Sequence, residues 1–126
     1  MRMLTTLIML CLPMAAMGEA YVCITEHHNT LDAGGSMEVE NSSLKFVLDT
    51  DKGHRMLDSS QDYEGRCQWI ENNGEYFLHC SSHDQALGRL EEYIMDLENR
   101  NFSSTYQNYG LGGRYSVSLW GQCSEL

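Results

Sequence analysis

Cys67-Gln-Trp-Ile-Glu-Asn-Asn-Gly-Glu-Tyr-Phe-Leu-His-Cys80 sets two cysteines symmetrically about Asn73-Gly74. Asn-Gly supplies the two positive-φ residues of a type I′ turn, the strongest short-range signal for a β-hairpin. With that pair as a two-residue loop, Asn72 faces Glu75, and hydrogen-bonded and non-hydrogen-bonded pairs alternate outward. Glu71 then meets Tyr76, Ile70 meets Phe77, Trp69 meets Leu78, Gln68 meets His79, and Cys67 meets Cys80. The cysteines fall on a non-hydrogen-bonded pair, where facing side chains approach most closely, and this register satisfies the geometry of a disulfide. A three-residue bulged loop would shift the register, so the bridge and the turn type stand or fall together.

The start of the chain bears on the remaining cysteines. Arg2 followed by the apolar run Met3–Leu12 reads as the first two regions of a signal peptide. Pro13 ends the run, and small residues follow at Ala15, Ala16, Gly18 and Ala20. Cleavage after Ala20 is expected, with cleavage after Gly18 as the alternative, so residues 1–20 are read as a leader and 21–126 as one domain. The run is much shorter than the ~20 apolar residues of a spanning helix, so no membrane insertion is expected after cleavage. Cys11 would leave with the leader. Large residues (Ile8, Met9, Leu10) precede it, which makes it a poor lipid-attachment site.

An even set of four cysteines in an exported chain reads as a disulfide framework, and four cysteines allow three pairings. If the hairpin takes Cys67 with Cys80, Cys23 is left for Cys123. That second bridge would close almost the whole chain into a loop, a constraint worth roughly 3–5 kcal/mol in the chain-entropy account. It would also lay the first and last strands side by side, and adjacency of the end strands is what closes a barrel and removes exposed edges.

Charge narrows the partners. The chain carries a formal net charge of −10. Loss of the leader removes one acid, Glu19, and one base, Arg2, which leaves the charge unchanged. Nucleic acid and anionic membrane surfaces recruit basic patches, so neither is an expected partner. The acids are scattered rather than blocked, which suits a dispersed exported protein and permits a cationic partner.

After Tyr21 there is no proline, repeat or low-complexity tract. Tyr21–Thr25, Met37–Lys45, Leu44–Asp49 and His54–Leu57 read as short strands, with turns near Gly34-Gly35-Ser36 and Asp51-Lys52-Gly53. Residues 82–100 carry two patterns. Leu87, Leu90, Ile94 and Leu97 have helical spacing, whereas Tyr93, Met95 and Leu97 alternate with polar residues. A short helix near 84–91 followed by a strand at 92–98 reconciles them. Phe102–Tyr106 is β-prone, and Tyr115, Val117 and Leu119 alternate with serines on a last strand that delivers Cys123. The fold class is therefore all-β: a small antiparallel meander barrel or sandwich of six to eight strands, with one short helix near 84–91, clamped by two disulfides.

Catalytic and metal motifs are sparse. His27 and His28 would point to opposite faces of a strand. His79 and His83 flank Cys80, but oxidation of Cys80 removes the thiolate that would make a metal site, so no metal or cofactor is expected. There is no Gly-x-Ser-x-Gly elbow, and no serine stands in a context that suggests activation. Gly110–Gly113 lacks the lysine and the following helix of a phosphate loop. The many acids leave room for paired carboxylates, whose spacing in sequence does not reveal their spacing across a barrel. Sequons occur at Asn41 and Asn101 and matter only in a glycosylating host.

Aromatic residues mark the candidate binding surface. Tyr106 and Tyr109 precede the glycine turn at Gly112 and Gly113, and Arg114 and Tyr115 follow it. Tyrosine beside glycine and asparagine gives large contact area at low entropic cost. The plainer expectation places Tyr115 and Trp120 in the core. The segment Gly112-Gly113-Arg114-Tyr115, with Trp120 and a late cysteine, is similar to the Ser-Gly-x-x-Tyr stretch of bacterial inhibitors of C-type lysozyme. The functional serine of that family has no counterpart in this stretch. The resemblance implies a small exported β-barrel whose loop enters the lysozyme cleft. Together these features favour a periplasmic or secreted, non-enzymatic protein that binds a protein or small molecule at the mouth or loops of its barrel. The alternatives are an inhibitor of a cationic hydrolase such as C-type lysozyme and a small carboxylate-dependent hydrolase.

Overall fold

The computed structural model describes residues 19–32, 37–41, 44–58, 60–110 and 113–126; the expected leader, save its last two residues, and Gly112 lie outside them. The strands are β1 (Ala20–Asp32), β2 (Met37–Asn41), β3 (Lys45–Asp49), β4 (Gly53–Met56), β5 (Arg66–Asn72), β6 (Glu75–Asp84), β7 (Arg89–Asp96), β8 (Asn101–Asn108) and β9 (Tyr115–Glu125). All pairings are antiparallel, in the order β4-β3-β1-β9-β8-β7-β6-β5. β2 pairs with the second half of β1, along the edge whose first half β3 occupies. Eight strands thus make a nearly closed barrel. The ring is completed by one backbone bridge, in which the His54 amide donates to the Glu64 carbonyl at 2.9 Å and the Glu64 amide returns the bond at 2.8 Å.

The β5–β6 hairpin has the register read from Asn73-Gly74: Asn72 faces Glu75, Trp69 faces Leu78, and Cys67 faces Cys80. Both turn residues have positive φ, 53° at Asn73 and 81° at Gly74. Cys67 is bonded to Cys80, and Cys23 to Cys123 across the paired β1 and β9. Two disulfides in so small a domain suit an oxidising compartment.

Strand alternation fills one end of the barrel. Tyr21, Cys23, Leu48, Leu78, Met95 and Phe102 are buried together. The Arg100 guanidinium lies 4.9 Å from the centre of the Tyr21 ring and pairs with Glu125 at 3.0 Å, which covers this end. Gly121 points inward beside Phe102, and a Cβ there would lie 1.9 Å from the Ile24 carbonyl oxygen. Absence of a side chain is what lets β1 approach β9 at this level.

The short helix expected near 84–91 is replaced by a turn. β6 runs to Asp84, residues 85–88 turn, and β7 begins at Arg89. The Asp84 carboxylate accepts a hydrogen bond from the Leu87 amide at 3.1 Å, and Gly88 takes φ 67°. Leu90 and Ile94, spaced as on a helix, lie on the exposed outer face of β7. A separation of four is close to one helical turn and is also a multiple of the strand period, so this pattern fitted both structures. The expectation that Trp120 is core also fails. Leu119 and Cys123 are buried on β9, so the alternating Trp120 faces outward, 42 % exposed.

Candidate functional site

The other end of the barrel is not filled. A cavity of about 390 Å³ opens there, between β1, β3, β4, β7, β8 and β9. Its position follows from strand parity. Tyr21, Cys23 and Thr25 are buried on β1, but the register with β9 shifts between Thr25 and His27. The extra residue reverses the alternation, so His28 and Thr30 line the cavity. Counting by twos from Met95 brings Tyr93, Glu91 and Arg89 into it, and counting from Cys123 brings Leu119, Val117 and Tyr115.

His54 is the buried polar centre of this region, 2 % exposed. Its ring packs on Tyr93 at 4.6 Å between centroids, and Phe46 packs on the far side of the cluster, 5.2 Å from Tyr93. Nε2 of His54 lies 3.1 Å from the Ser82 hydroxyl, and Nδ1 faces the Glu91 carboxylate at 3.7 Å. Ser82 opens on a polar groove that shares Gln61, Glu64, Arg89 and Glu91 with the cavity. A hydroxyl, an imidazole and a carboxylate thus lie in order at the junction of an apolar cavity and a polar groove. Glu64 and Glu91 line both spaces, and the charge of Glu64 acts on the Glu91 carboxyl.

Burial governs the protonation of these groups. Desolvation lowers the His54 pKa to about 4, so the imidazole is neutral at physiological pH. Desolvation raises that of the Glu91 carboxyl, and the charge of Glu64 adds to the shift. The Tyr93 phenol is raised by burial first and by Glu91 second. Tyr106 is pushed up to about 12, chiefly by burial and then by its hydrogen bond with Tyr115.

A pH dependence of stability follows. Between pH 6.5 and about 4 the unfolded chain protonates this imidazole and the folded chain does not. Stability conferred by the neutral ring is therefore complete above 6.5 and is lost as pH falls toward 4, by on the order of 2 kcal/mol at pH 5. Glu91 acts in the opposite sense, since its folded form binds a proton more readily, and this offsets part of the loss in the carboxylate range. His54→Gln is expected to flatten the fall in Tm between pH 7.5 and 5.0. Parallel Tm profiles for the two proteins would refute this assignment.

The aromatic residues singled out in the sequence are divided by the fold. Tyr106 and Tyr115 face inward and stack with centroids 5.8 Å apart, and both line the cavity. Tyr115, which the lysozyme-inhibitor resemblance would carry into a cleft, thus points into the barrel. Tyr109 and Arg114 line a shallow outer groove with Leu31, which Tyr115 also borders, and the Tyr109 hydroxyl contacts Nε2 of His83. The Asn108 side-chain amide donates to the Gly113 carbonyl at 3.1 Å, shaping the loop at the rim. Gly110 packs against Gly88, where a Cβ on either would meet the other turn's backbone. The disulfides adjoin this site: Cys80 faces Tyr93 and stands two residues before Ser82, and Cys23 faces Phe46. Sequence reasoning did not single out His54, Ser82, Glu64 or Glu91. Only Glu91 had a readable signal, two residues from Tyr93 on a strand whose inward face Tyr93 and Met95 define.

Comparisons with family models, with curated proteins and with solved structures find no match for this chain.

Proposed function

We propose that this is an exported protein, periplasmic or secreted, that binds a small molecule with an apolar body in the mouth of its barrel. One observation carries the reading. The interior is packed around Tyr21, Leu78 and Met95, yet it leaves a cavity of about 390 Å³ at the other end. Small-molecule sites are concave and largely apolar, with a few convergent polar groups. Here Phe46, Met56, Val117 and Leu119 supply the apolar wall, and His54 and Glu91 supply the polar points. The strands set these side chains on a rigid frame, and the disulfides limit what ligand binding must order.

N-phenyl-1-naphthylamine, a neutral apolar fluorophore, tests this directly. Fluorescence titration is expected to show saturable binding of one molecule per chain. Val117→Trp, which fills the cavity from β9, is expected to weaken binding at least tenfold while the far-ultraviolet spectrum is retained. A linear, unsaturable signal, or undiminished binding by the variant, would count against a ligand site in the mouth.

A further inference from the structure

Beyond binding, we propose that Ser82, His54 and Glu91 form an acyl-transfer site that cleaves esters whose apolar portion lies in the mouth cavity. The geometry has the three parts such chemistry needs. Ser82 Oγ, the nucleophile, is 3.1 Å from His54 Nε2, within reach of proton transfer. The other ring nitrogen faces Glu91 Oε2 at 3.7 Å, so a positive charge formed on the ring would meet a carboxylate. That separation is longer than a hydrogen bond, and such contacts commonly tighten once substrate is bound. Arg89 lines both the cavity and the groove and is a cation that a developing oxyanion at the groove could meet.

The position of Ser82 supports the assignment. It is half-buried, and it opens on the polar groove rather than on the apolar cavity. An ester can place its apolar part beside Phe46 and Val117 and its carbonyl at the groove. Gly65 packs so closely there that a Cβ on it would come 2.9 Å from the Ser82 Cβ, so a side chain at 65 would crowd the nucleophile. The Ser82–His54 contact joins β6 to β4 across a separation of 28 residues, which is why no local motif announces it.

The reaction balances with water as the only co-reactant. As Ser82 Oγ attacks the ester carbonyl, its proton passes to His54 Nε2. The carbon–oxygen bond to the alcohol breaks, and the alcohol leaves with that proton. Water then gives a proton to His54 and attacks the acyl-serine, releasing the carboxylic acid and restoring Ser82. Every proton taken by His54 is returned, and nothing is oxidised or reduced.

An alkyl fluorophosphonate reports the first step without turnover, because it phosphonylates an activated serine with loss of fluoride. Intact mass spectrometry of the folded, oxidised protein is expected to show one adduct per chain, mapped to Ser82. It should be absent from Ser82→Ala and formed at least tenfold more slowly by His54→Gln. Since His54 stays in its base form down to about pH 4, labelling should persist at pH 5, where an ordinary imidazole base is largely protonated. Absence of an adduct in excess reagent, an adduct at another residue, or equal labelling of Ser82→Ala would overturn the proposal. Binding of N-phenyl-1-naphthylamine is read separately. Saturable binding without labelling removes the acyl transfer and leaves the ligand site; labelling at Ser82 without saturable binding does the reverse.

Discussion

Replacing Cys23 and Cys123 together by alanine is expected to destabilise the protein by about 4–5 kcal/mol, against roughly 3 kcal/mol for the same change at Cys67 and Cys80. The difference follows from loop length. The first bridge spans 100 residues and the second 13, and the entropy removed from the unfolded chain grows with the logarithm of the loop closed. Position works in the same direction. Cys23–Cys123 ties β1 to β9, the junction that brings the two ends of the chain together. Cys67–Cys80 reinforces a hairpin whose turn already sets its register. Urea unfolding followed by Trp69 and Trp120 fluorescence measures both losses. The larger loss should fall on the long bridge, with m-values raised by expansion of the unfolded chain. Equal losses, or a larger one for the hairpin pair, would mean that native-state contacts outweigh chain entropy here.

That ordering concerns the part of the fold the sequence made most legible. The hairpin was readable because a turn dipeptide and a covalent constraint agreed on one register, and the second bridge followed by elimination. Much of the interior was readable too, because Cys123 points inward. Counting by twos from it assigns Leu119, Val117 and Tyr115 to the inside and Trp120 to the outside; aromatic character alone had suggested the wrong place for Trp120. The cavity was harder to foresee. It depends on the extra residue between Thr25 and His27, which reverses the parity of β1 without any glycine or proline to mark it. The site was hardest of all. His54 comes from β4, Ser82 from β6 and Glu91 from β7, and the ring of strands brings them together only because β4 meets the residue before Gly65 at the closing seam. Contacts created by closure leave no local periodicity.

The seam itself makes the second large effect predictable. Gly53 and Gly65 flank the His54–Glu64 bridge, and both have positive φ, 103° and 68°. A Cβ on Gly53 would stand 2.2 Å from the Glu64 carbonyl oxygen, and one on Gly65 would stand 2.1 Å from that of Ser81. Neither neighbour is the far end of a flexible side chain, so relief requires the backbone to move and the bridge to open. Gly53→Ala or Gly65→Ala should each cost at least about 3 kcal/mol, combining left-handed strain with the clash. Gly74→Ala is the matched control. Its φ of 81° carries similar strain, but nothing lies within 4 Å of the added Cβ, so a cost near 1 kcal/mol is expected. Amide hydrogen exchange separates the two cases. Protection at His54 and Glu64 should collapse in the seam variants and persist in Gly74→Ala. If Gly53→Ala proved no more costly than Gly74→Ala, the bridge would not be what holds the ring closed. The placement of His54 against Ser82 and Glu91 would then need another support, because β4 has no other backbone bridge toward the β5 side among the described residues.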